Sequence, residues 1–313
     1  VSQFAIRFHP LSAETRGRLI AQGLDPDAVA SVVRSAITED LAGGFDVTSA
    51  ATVPAGQVSR GVFAARQAGT IAGLAVAAAV IDTVCGERSS EMDYLVNDGQ
   101  RVTPGTVVAT VEAPTLLLLT AERTALNLLC HMSGVATLTA RWVDALQGTS
   151  AKVRDTRKTL PGLRALQKYA VRAGGGVNHR MALSDAALVK DNHVLAAGGV
   201  RQAFDAVRAL AASIPVEIEV DSIDDMREAI DAGADVVMLD NFAPAQMEAA
   251  VAIRNEHAPD VILEASGGLT LEVAHEVGET GVDYIAVGEL THSVRVFDIG
   301  LDLHDVETMS PDF

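Results

Sequence analysis

Cysteine is nearly missing from this chain of 313 residues, which has Cys85 and Cys130 and no others. Two thiols without a CxxC spacing form neither a zinc signature nor a disulfide framework, so both are expected reduced and buried. Aromatic residues amount to 4%, too few to line a stacking surface for nucleic-acid bases. Their scarcity predicts a core of Ala, Val, Leu and Ile. Positive charge is short too: 24 Lys and Arg stand against 41 Asp and Glu, a formal net charge of -17. A surface of that sign is a poor match for a polyanion, and no nucleic-acid partner is expected. Long apolar runs are absent as well. The longest, Leu74 to Ile81, is far too short to span a bilayer. The N-terminal stretch shows no basic segment followed by an apolar one, so no signal peptide is read. The expectation is a cytoplasmic protein with no membrane partner.

The positive charge that does exist is concentrated. Residues 152 to 193 carry nine cations and three acids, leaving 15 cations against 38 acids elsewhere. An electropositive island in an acidic chain suits a small, highly charged anion. Arg164, Lys168 and Arg172 fall at helical spacing behind Pro161 and read as a solvated helix face. Arg157, Lys158, His179, Arg180 and Lys190 instead sit beside turn signals: Thr159-Leu160-Pro161-Gly162, Gly174-Gly175-Gly176 and Asp191-Asn192. Loops of that kind are where binding groups usually lie.

The first twenty or so residues show no clear periodicity. Asp25-Pro26 reads as a helix start, with the helix ending at Gly43-Gly44 and a loop at Asp46 to Ser49. A strand over Val58 to Ala65 and an Ala/Val-rich helix to Cys85 follow. Residues 92 to 113 have the turns of a biotinyl or lipoyl carrier but contain no lysine to modify, and are taken as structural. Apolar residues at helical spacing run from Thr115 to His131, with a break expected at Ser133-Gly134 and a second helix to Leu146. Arg123 lies inside that stretch, either along apolar surface with its head in water or as a cation delivered to a site or interface. After Gly148, short apolar strands alternate with helices, through Val216-Glu217-Ile218-Glu219-Val220, Val236 to Asp240, Val261 to Ala265 and Tyr284 to Gly288. This is the pattern of βα units around a parallel sheet. Six or seven units, fewer than eight, predict an incomplete barrel, and a dinucleotide-type G-x-G-x-x-G turn is absent.

In a β/α barrel the carboxyl ends of the strands converge on one mouth. Three kinds of group end there. The cations suit carboxylate or phosphate, with guanidinium in a bidentate mode. Glu219 and Asp240, one βα unit apart, suit magnesium, a ribose hydroxyl, or ion pairing with the nearby cations. Ser266-Gly267-Gly268, expected just before a helix near Thr270, and Gly288 offer backbone N–H groups to a phosphate.

Asp155-Thr156-Arg157-Lys158-Thr159 with Pro161-Gly162, the run GGGVNHR ending at Arg180, Val189-Lys190-Asp191-Asn192-His193, Glu217 to Val220, Met238 to Asn241 and Glu264 to Gly268 together resemble the quinolinate phosphoribosyltransferase family. Thr38 to Leu41 with Asp46-Val47-Thr48, and Glu122 to Asn127, resemble it as well. The motifs follow in the family's order over about residues 30 to 300. The resemblance implies an α/β fold: an N-terminal α/β sandwich domain (1–134), an open β/α barrel carrying the site (135–292), and a tail (293–313) packing back on the N-terminal domain. It implies decarboxylating phosphoribosyl transfer from phosphoribosyl diphosphate to quinolinate in NAD synthesis, with magnesium, by a homodimer in which Arg123 enters the neighbouring subunit's site. Arg123, Thr156, Arg157, His179, Arg180 and Lys190 match positions for quinolinate. Lys158, Glu219, Asp240, Ser266, Gly267, Gly268, Gly288 and His292 match positions for phosphoribosyl diphosphate. Catalysis is assigned by the same likeness to Lys158, Lys190, Glu219 and Asp240, and magnesium to Glu219 and Asp240, directly or through water. Two rivals stand beside this reading: a paralogous phosphoribosyltransferase for another heteroaromatic acid, such as those linked to molybdenum transport operons, and a non-catalytic metabolite-binding protein. Retention of both Glu219 and Asp240 speaks against the second.

Overall fold

A computed structural model describes residues 6–305, and the chain divides into two compact units. The first takes residues through Thr137 together with Pro161–Gly174 and those from Val294 on, and the second takes Leu138–Leu160 and Gly175–Ser293.

The first unit opens with α1 (Ala13–Ala21), started by the Ser12 hydroxyl, which accepts from the Thr15 N–H at 3.1 Å. This helix falls where no periodicity was expected. It buries little more than Thr15 and Leu19, too few apolar positions to register as a pattern. Helix α2 (Pro26–Leu41) starts at its Asp25 cap as expected, and Ala42, not glycine, takes the left-handed exit at φ 46°. The expected loop after Asp46 is a short helix, α3 (Val47–Thr52), because the Asp46 carboxylate caps Ser49 N–H at 3.0 Å.

Strands β1 (Val58–Ala65) and β2 (Gly69–Thr70) lead to α4 (Leu74–Cys85), whose twelve residues are all buried. A helix enclosed on every side has no use for a polar stripe, which accounts for its Ala/Val composition. Then come β3 (Glu91–Tyr94), β4 (Arg101–Val102), β5 (Val107–Pro114) and α5 (Thr115–Ala145). Helix α5 is continuous over 31 residues, so the break expected at Ser133-Gly134 does not occur. Gly134 is small for another reason: a Cβ there would lie 2.3 Å from the Arg295 carbonyl oxygen. Ser133 meanwhile turns its hydroxyl to the Ala72 backbone, accepting from its N–H at 3.1 Å. Both residues permit close packing and leave the helix intact.

Helix α6 (Arg164–Ala173) clusters with this first unit, although the sequence assigned it to the barrel. Tyr169 Oη donates to Asp98 at 2.6 Å and Gln167 meets His131 at 2.9 Å. The solvated cationic face expected here holds at the exposed Arg172 and the half-buried Arg164 but fails at Lys168. Lys168 is fully buried within an unbroken buried run from Leu166 to Val171, and the Arg172 guanidinium donates to the Gln22 carbonyl at 2.7 Å.

In the second unit β6 (Lys152–Arg154), β7 (Ala187–Val189), β8 (Val216–Val220), β9 (Val236–Asp240), β10 (Ile262–Ser266) and β11 (Tyr284–Ala286) form one sheet in the order β6-β11-β10-β9-β8-β7, parallel throughout. The first strand in sequence pairs with the last, as barrel closure requires, while the described β6 and β7 do not pair with each other. Residues between them run along the gap, and Val177 bridges Arg154. The helices α7 (Asp191–Ala197), α8 (Val200–Leu210), α9 (Ile223–Ala232), α10 (Pro244–His257), α11 (Ala274–Glu279) and α12 (Glu289–His292) connect or follow the strands. The architecture is α/β, with an open parallel β/α barrel in this unit.

Strand β12 (Ile299–Asp305) returns to the first unit's sheet, order β12-β1-β5-β3, pairing antiparallel with β1 from Ile299–Ala65 to Asp305–Ser59. Both cysteines are buried. Desolvation pushes the Cys85 thiol up to about 12, so it stays protonated and unreactive. Among the described residues no helix is long and apolar enough to cross a membrane.

Asp98 organises the first unit locally. Its carboxylate accepts from Gly73 N–H (2.8 Å), Leu74 N–H (3.2 Å), Tyr169 Oη (2.6 Å) and Gln22 Nε2 (3.3 Å). It therefore caps α4 and ties α6 to it. Asp98→Ala should cost about 2–4 kcal/mol of stability, since several buried donors lose their acceptor together. A urea unfolding midpoint within error of wild type would contradict this.

Candidate active site

The carboxyl ends of the parallel strands surround a cavity of about 640 Å³, lined by residues of the second unit. The turn after β6 brings Thr156, Arg157 and Lys158; the segment beside it brings His179 and Arg180; Lys190 follows β7 directly. Strands β8 and β9 bring Glu219 and Asp240, the loop after β10 brings Ser266, Gly267 and Gly268, and Gly288 and His292 follow β11. Thirteen of the fourteen residues expected at the site thus line one hollow. Parallel strands explain the convergence: every strand ends at the same edge of the sheet, so residues far apart in sequence meet there.

One wall is cationic. Burial, then the neighbouring Arg157, pull the Arg180 guanidinium below its usual pKa, while Glu217 and Asp185 oppose them. Two guanidinium groups close enough to repel mark a place prepared for negative charge. The Nε atoms of Arg157 and Arg180 are buried with no hydrogen-bond partner among the described residues. Arg180 is held from the far side, donating from Nη1 to the Ala186 carbonyl at 2.7 Å. Its loop is shaped by Asp185, which accepts from Met181 and Ala182 N–H at 2.7 and 3.1 Å. Lys158 is placed by two local bonds: its N–H donates to Thr156 Oγ1 at 3.0 Å and its carbonyl accepts from Thr291 Oγ1 at 2.8 Å. A Cβ at Gly288 would sit 3.0 Å from Lys158 Cδ and 3.1 Å from His292 Nε2, so glycine there leaves room for both side chains.

The rest of the lining is acidic and glycine-rich. Lys190 Nζ forms an ion pair with Glu219, and Asp240 accepts from Asn241 Nδ2 at 2.7 Å. Gly267 sits at φ 93°, and a Cβ on it would fall 2.2 Å from Asn241 Oδ1, so conformation and space both demand glycine. The helix expected to begin near Thr270 starts only at Ala274 and has six residues. What Ser266-Gly267-Gly268 present to the cavity is loop backbone, not a helix terminus, because the chain turns through residues 267–273 before it coils.

Behind His179 lies a layer of charge that sequence reasoning left out of the site. Asp155, fully buried, accepts from His179 N–H at 2.8 Å and from Asn178 Nδ2 at 2.5 Å. His179 Nδ1 accepts from Arg180 N–H at 2.7 Å, and Nε2 lies 2.7 Å from Glu217 Oε2 and 3.8 Å from Glu264 Oε1. Both ring nitrogens are thus turned toward the protein. Arg154 Nη1 meets Glu264 at 2.6 Å. Burial, then Glu217, raise the Glu264 carboxyl to about 7, with Arg154 and His179 opposing. The donor atoms of His179, Glu217 and Glu264 lie within 4.8 Å of one another, a spacing a metal ion can use, but the Arg154 guanidinium already supplies a cation there. The available signal was V-E-I-E-V: with a period of two, Glu217 and Glu219 share the barrel's inner face, one layer apart.

Arg123 is exposed on α5 in the first unit and is not among the cavity's lining residues.

The family model described as quinolinate phosphoribosyl transferase, C-terminal domain, matches residues 135–302, and the corresponding N-terminal domain model matches residues 46–133. The chain belongs to the quinolinate phosphoribosyltransferase family. It is 56% identical over 277 residues to the nicotinate-nucleotide pyrophosphorylase [carboxylating] of Mycobacterium leprae, covering 88% of this chain and 98% of that protein. A quinolinate phosphoribosyltransferase [decarboxylating] of Nicotiana tabacum is 38% identical over 87% of this chain and 81% of its own length. Among solved structures, the nicotinate-nucleotide pyrophosphorylase of Francisella tularensis superposes with a TM-score of 0.83 at 36% identity, covering 89% of this chain and 96% of that one.

An anion-binding cavity in this family member should respond to simple anions. Inorganic phosphate at millimolar concentration should raise the wild-type melting temperature, and Arg180→Ala or Lys158→Ala should remove most of that rise, because ligand binding stabilises only the competent site. Equal phosphate stabilisation in all three proteins would refute the assignment.

Proposed function

We propose that the chain transfers the phosphoribosyl group of phosphoribosyl diphosphate to the ring nitrogen of quinolinate with loss of carbon dioxide, giving nicotinate mononucleotide and diphosphate for NAD synthesis. The observation that carries this reading is the meeting of Arg157, Arg180 and Lys190 with Lys158, His292, Glu219 and Asp240 around one cavity. Quinolinate is a dianion at neutral pH. Arg157 and Arg180, with Thr156, His179 and Lys190 beside them, bind its adjacent carboxylates, each charge-assisted bond contributing about 1.5–3 kcal/mol. The sugar phosphate and diphosphate take the other side, on Lys158, His292 and the backbone of Ser266, Gly267, Gly268 and Gly288.

Bond formation proceeds between the ring nitrogen and the sugar's anomeric carbon as the diphosphate leaves. Positive charge grows on that carbon, and Glu219 and Asp240 stabilise it. Once quaternised, the ring nitrogen withdraws electrons, and the neighbouring carboxylate departs as carbon dioxide. The electron pair left on the ring carbon is stabilised by Lys158 and Lys190 until a proton is added there. The family resemblance implies magnesium. Glu219 and Asp240 are hard oxygen donors on adjacent strand ends facing the same cavity, and they fit that ion directly or through water. Bound there, it would neutralise charge on the departing diphosphate. The same reading makes the protein a cytoplasmic homodimer in which Arg123 completes the neighbouring subunit's site.

The test is turnover with quinolinate, phosphoribosyl diphosphate and magnesium, each omitted in turn, with release of labelled carbon dioxide from quinolinate as the readout. No release with all three present would sink the proposal and favour the paralogue for another heteroaromatic acid. Arg157→Ala should raise KM for quinolinate at least about tenfold. Arg123→Ala and Arg180→Ala should each be nearly inactive alone, whereas a mixture after subunit exchange should recover activity through one intact site per heterodimer. Absence of recovery despite proven exchange would argue that Arg123 serves its own subunit.

A further inference from the structure

Two buried carboxylates stand directly behind the place where a dianion is to bind. Glu217 is 5% exposed and Glu264 is fully buried, and neither lines the cavity. They reach it through His179, whose Nε2 lies 2.7 Å from one and 3.8 Å from the other. The far side of that ring is already engaged, its Nδ1 accepting the Arg180 N–H at 2.7 Å. Arg154, on β6, is the cation that touches the pair, and its guanidinium also lies over the Tyr284 ring at 4.7 Å. The two carboxylates are close enough to repel, and a proton on one of them relieves that repulsion. The geometry has room for that proton: Oε1 of Glu217 and Oε1 of Glu264 are both buried without a hydrogen-bond partner among the described residues.

We propose that Glu264 is a positioning residue that holds a proton when quinolinate binds, so that binding of the dicarboxylate is linked to proton uptake beneath His179. The inference rests on the assignment of quinolinate to Arg157 and Arg180. Its physical basis is like-charge repulsion. An incoming dianion raises the free energy of an ionised Glu264 behind it, and so favours the protonated form. Glu264 is the member of the pair placed to take the proton, being the more deeply buried. Its surroundings already hold its carboxyl near 7, through burial first and Glu217 second, against the pull of Arg154 and His179. The groups facing it are Arg154 from β6, Glu217 from β8, Tyr284 from β11 and His179 from the preceding loop.

The sign follows from the raised pKa. Below about pH 7 Glu264 is neutral before substrate arrives and binding is at its best. As pH rises through that value the free enzyme loses the proton, and quinolinate must recruit it back at the expense of affinity. Wild-type KM for quinolinate should therefore rise about tenfold between pH 6.5 and 8.5, roughly one unit of coupling. Glu264→Gln, neutral at every pH and able to accept from Arg154, should keep KM for quinolinate within about twofold over the same range. The KM for phosphoribosyl diphosphate should show no difference in pH profile between the two proteins. A merely structural role for Glu264 would shift both constants together and leave the profiles parallel.

Calorimetry provides a check that needs no variant. Quinolinate titrated into the wild-type enzyme at pH 7.5, in two buffers of different ionisation heat, should show net proton uptake. Zero uptake overturns the proposal, and so does uptake that persists in Glu264→Gln. Normal, pH-independent quinolinate binding would condemn this linkage alone, whereas undiminished binding by Arg157→Ala and Arg180→Ala would condemn the cradle assignment on which it stands.

Discussion

Like charges held together around a hollow are the constraint on which this molecule turns. Burial first, and then Arg157, lower the pKa of Arg180, and local bonds hold the Arg180 side in place. Ala186 takes a guanidinium hydrogen, Asp155 takes the His179 N–H, and His179 takes the Arg180 N–H. Each of these anchors is local in the sequence or one strand away. The repulsion is thus carried by the barrel's own hydrogen bonding, and relieving it is left to a negatively charged ligand. This is electrostatic preorganisation: the reorganisation is completed by folding, before the substrate arrives.

The scaffold makes that tolerable by separating layers along the strands. Period-two alternation sends Glu219 to the mouth and Glu217 one layer below it, with Met238, Val236 and their in-register neighbours filling the same inner face. Arg154 meets Glu264 within the deeper layer at 2.6 Å. A buried ion pair of this kind is weak evidence for stability, and its position under His179 gives it a different use. In the proposed function it is the electrostatic floor beneath quinolinate. The glycines act on a similar principle of space: Gly288 admits Lys158 and His292 side by side, and Gly267 admits Asn241.

Where local reading of the chain went astray, tertiary packing was the reason. Ser133-Gly134 look like a helix stop, yet α5 passes through them because a neighbouring carbonyl needs the missing Cβ's space. Lys168 looks like part of a wet stripe with Arg164 and Arg172, yet it lies in the buried run from Leu166 to Val171, and α6 belongs with the first unit through Tyr169 and Gln167. The loop after β10 looks like a helix N-terminus, yet it offers only turning backbone.

Much of the site was legible beforehand because its chemistry is carried by residue types that have no business in a core. Cations beside turns, acids at strand ends and paired glycines stand out against Val, Ile and Ala, and parallel strand order brings them to one edge without further information. The α/β class and the incomplete barrel followed from the same alternation. The sequence alone left open which charges share an environment. That Arg157 and Arg180 repel, that both His179 nitrogens turn inward, and that Glu264 is forced toward neutrality are effects of distance and burial. Those quantities exist only once strands 110 residues apart, such as those bearing Arg154 and Glu264, lie side by side.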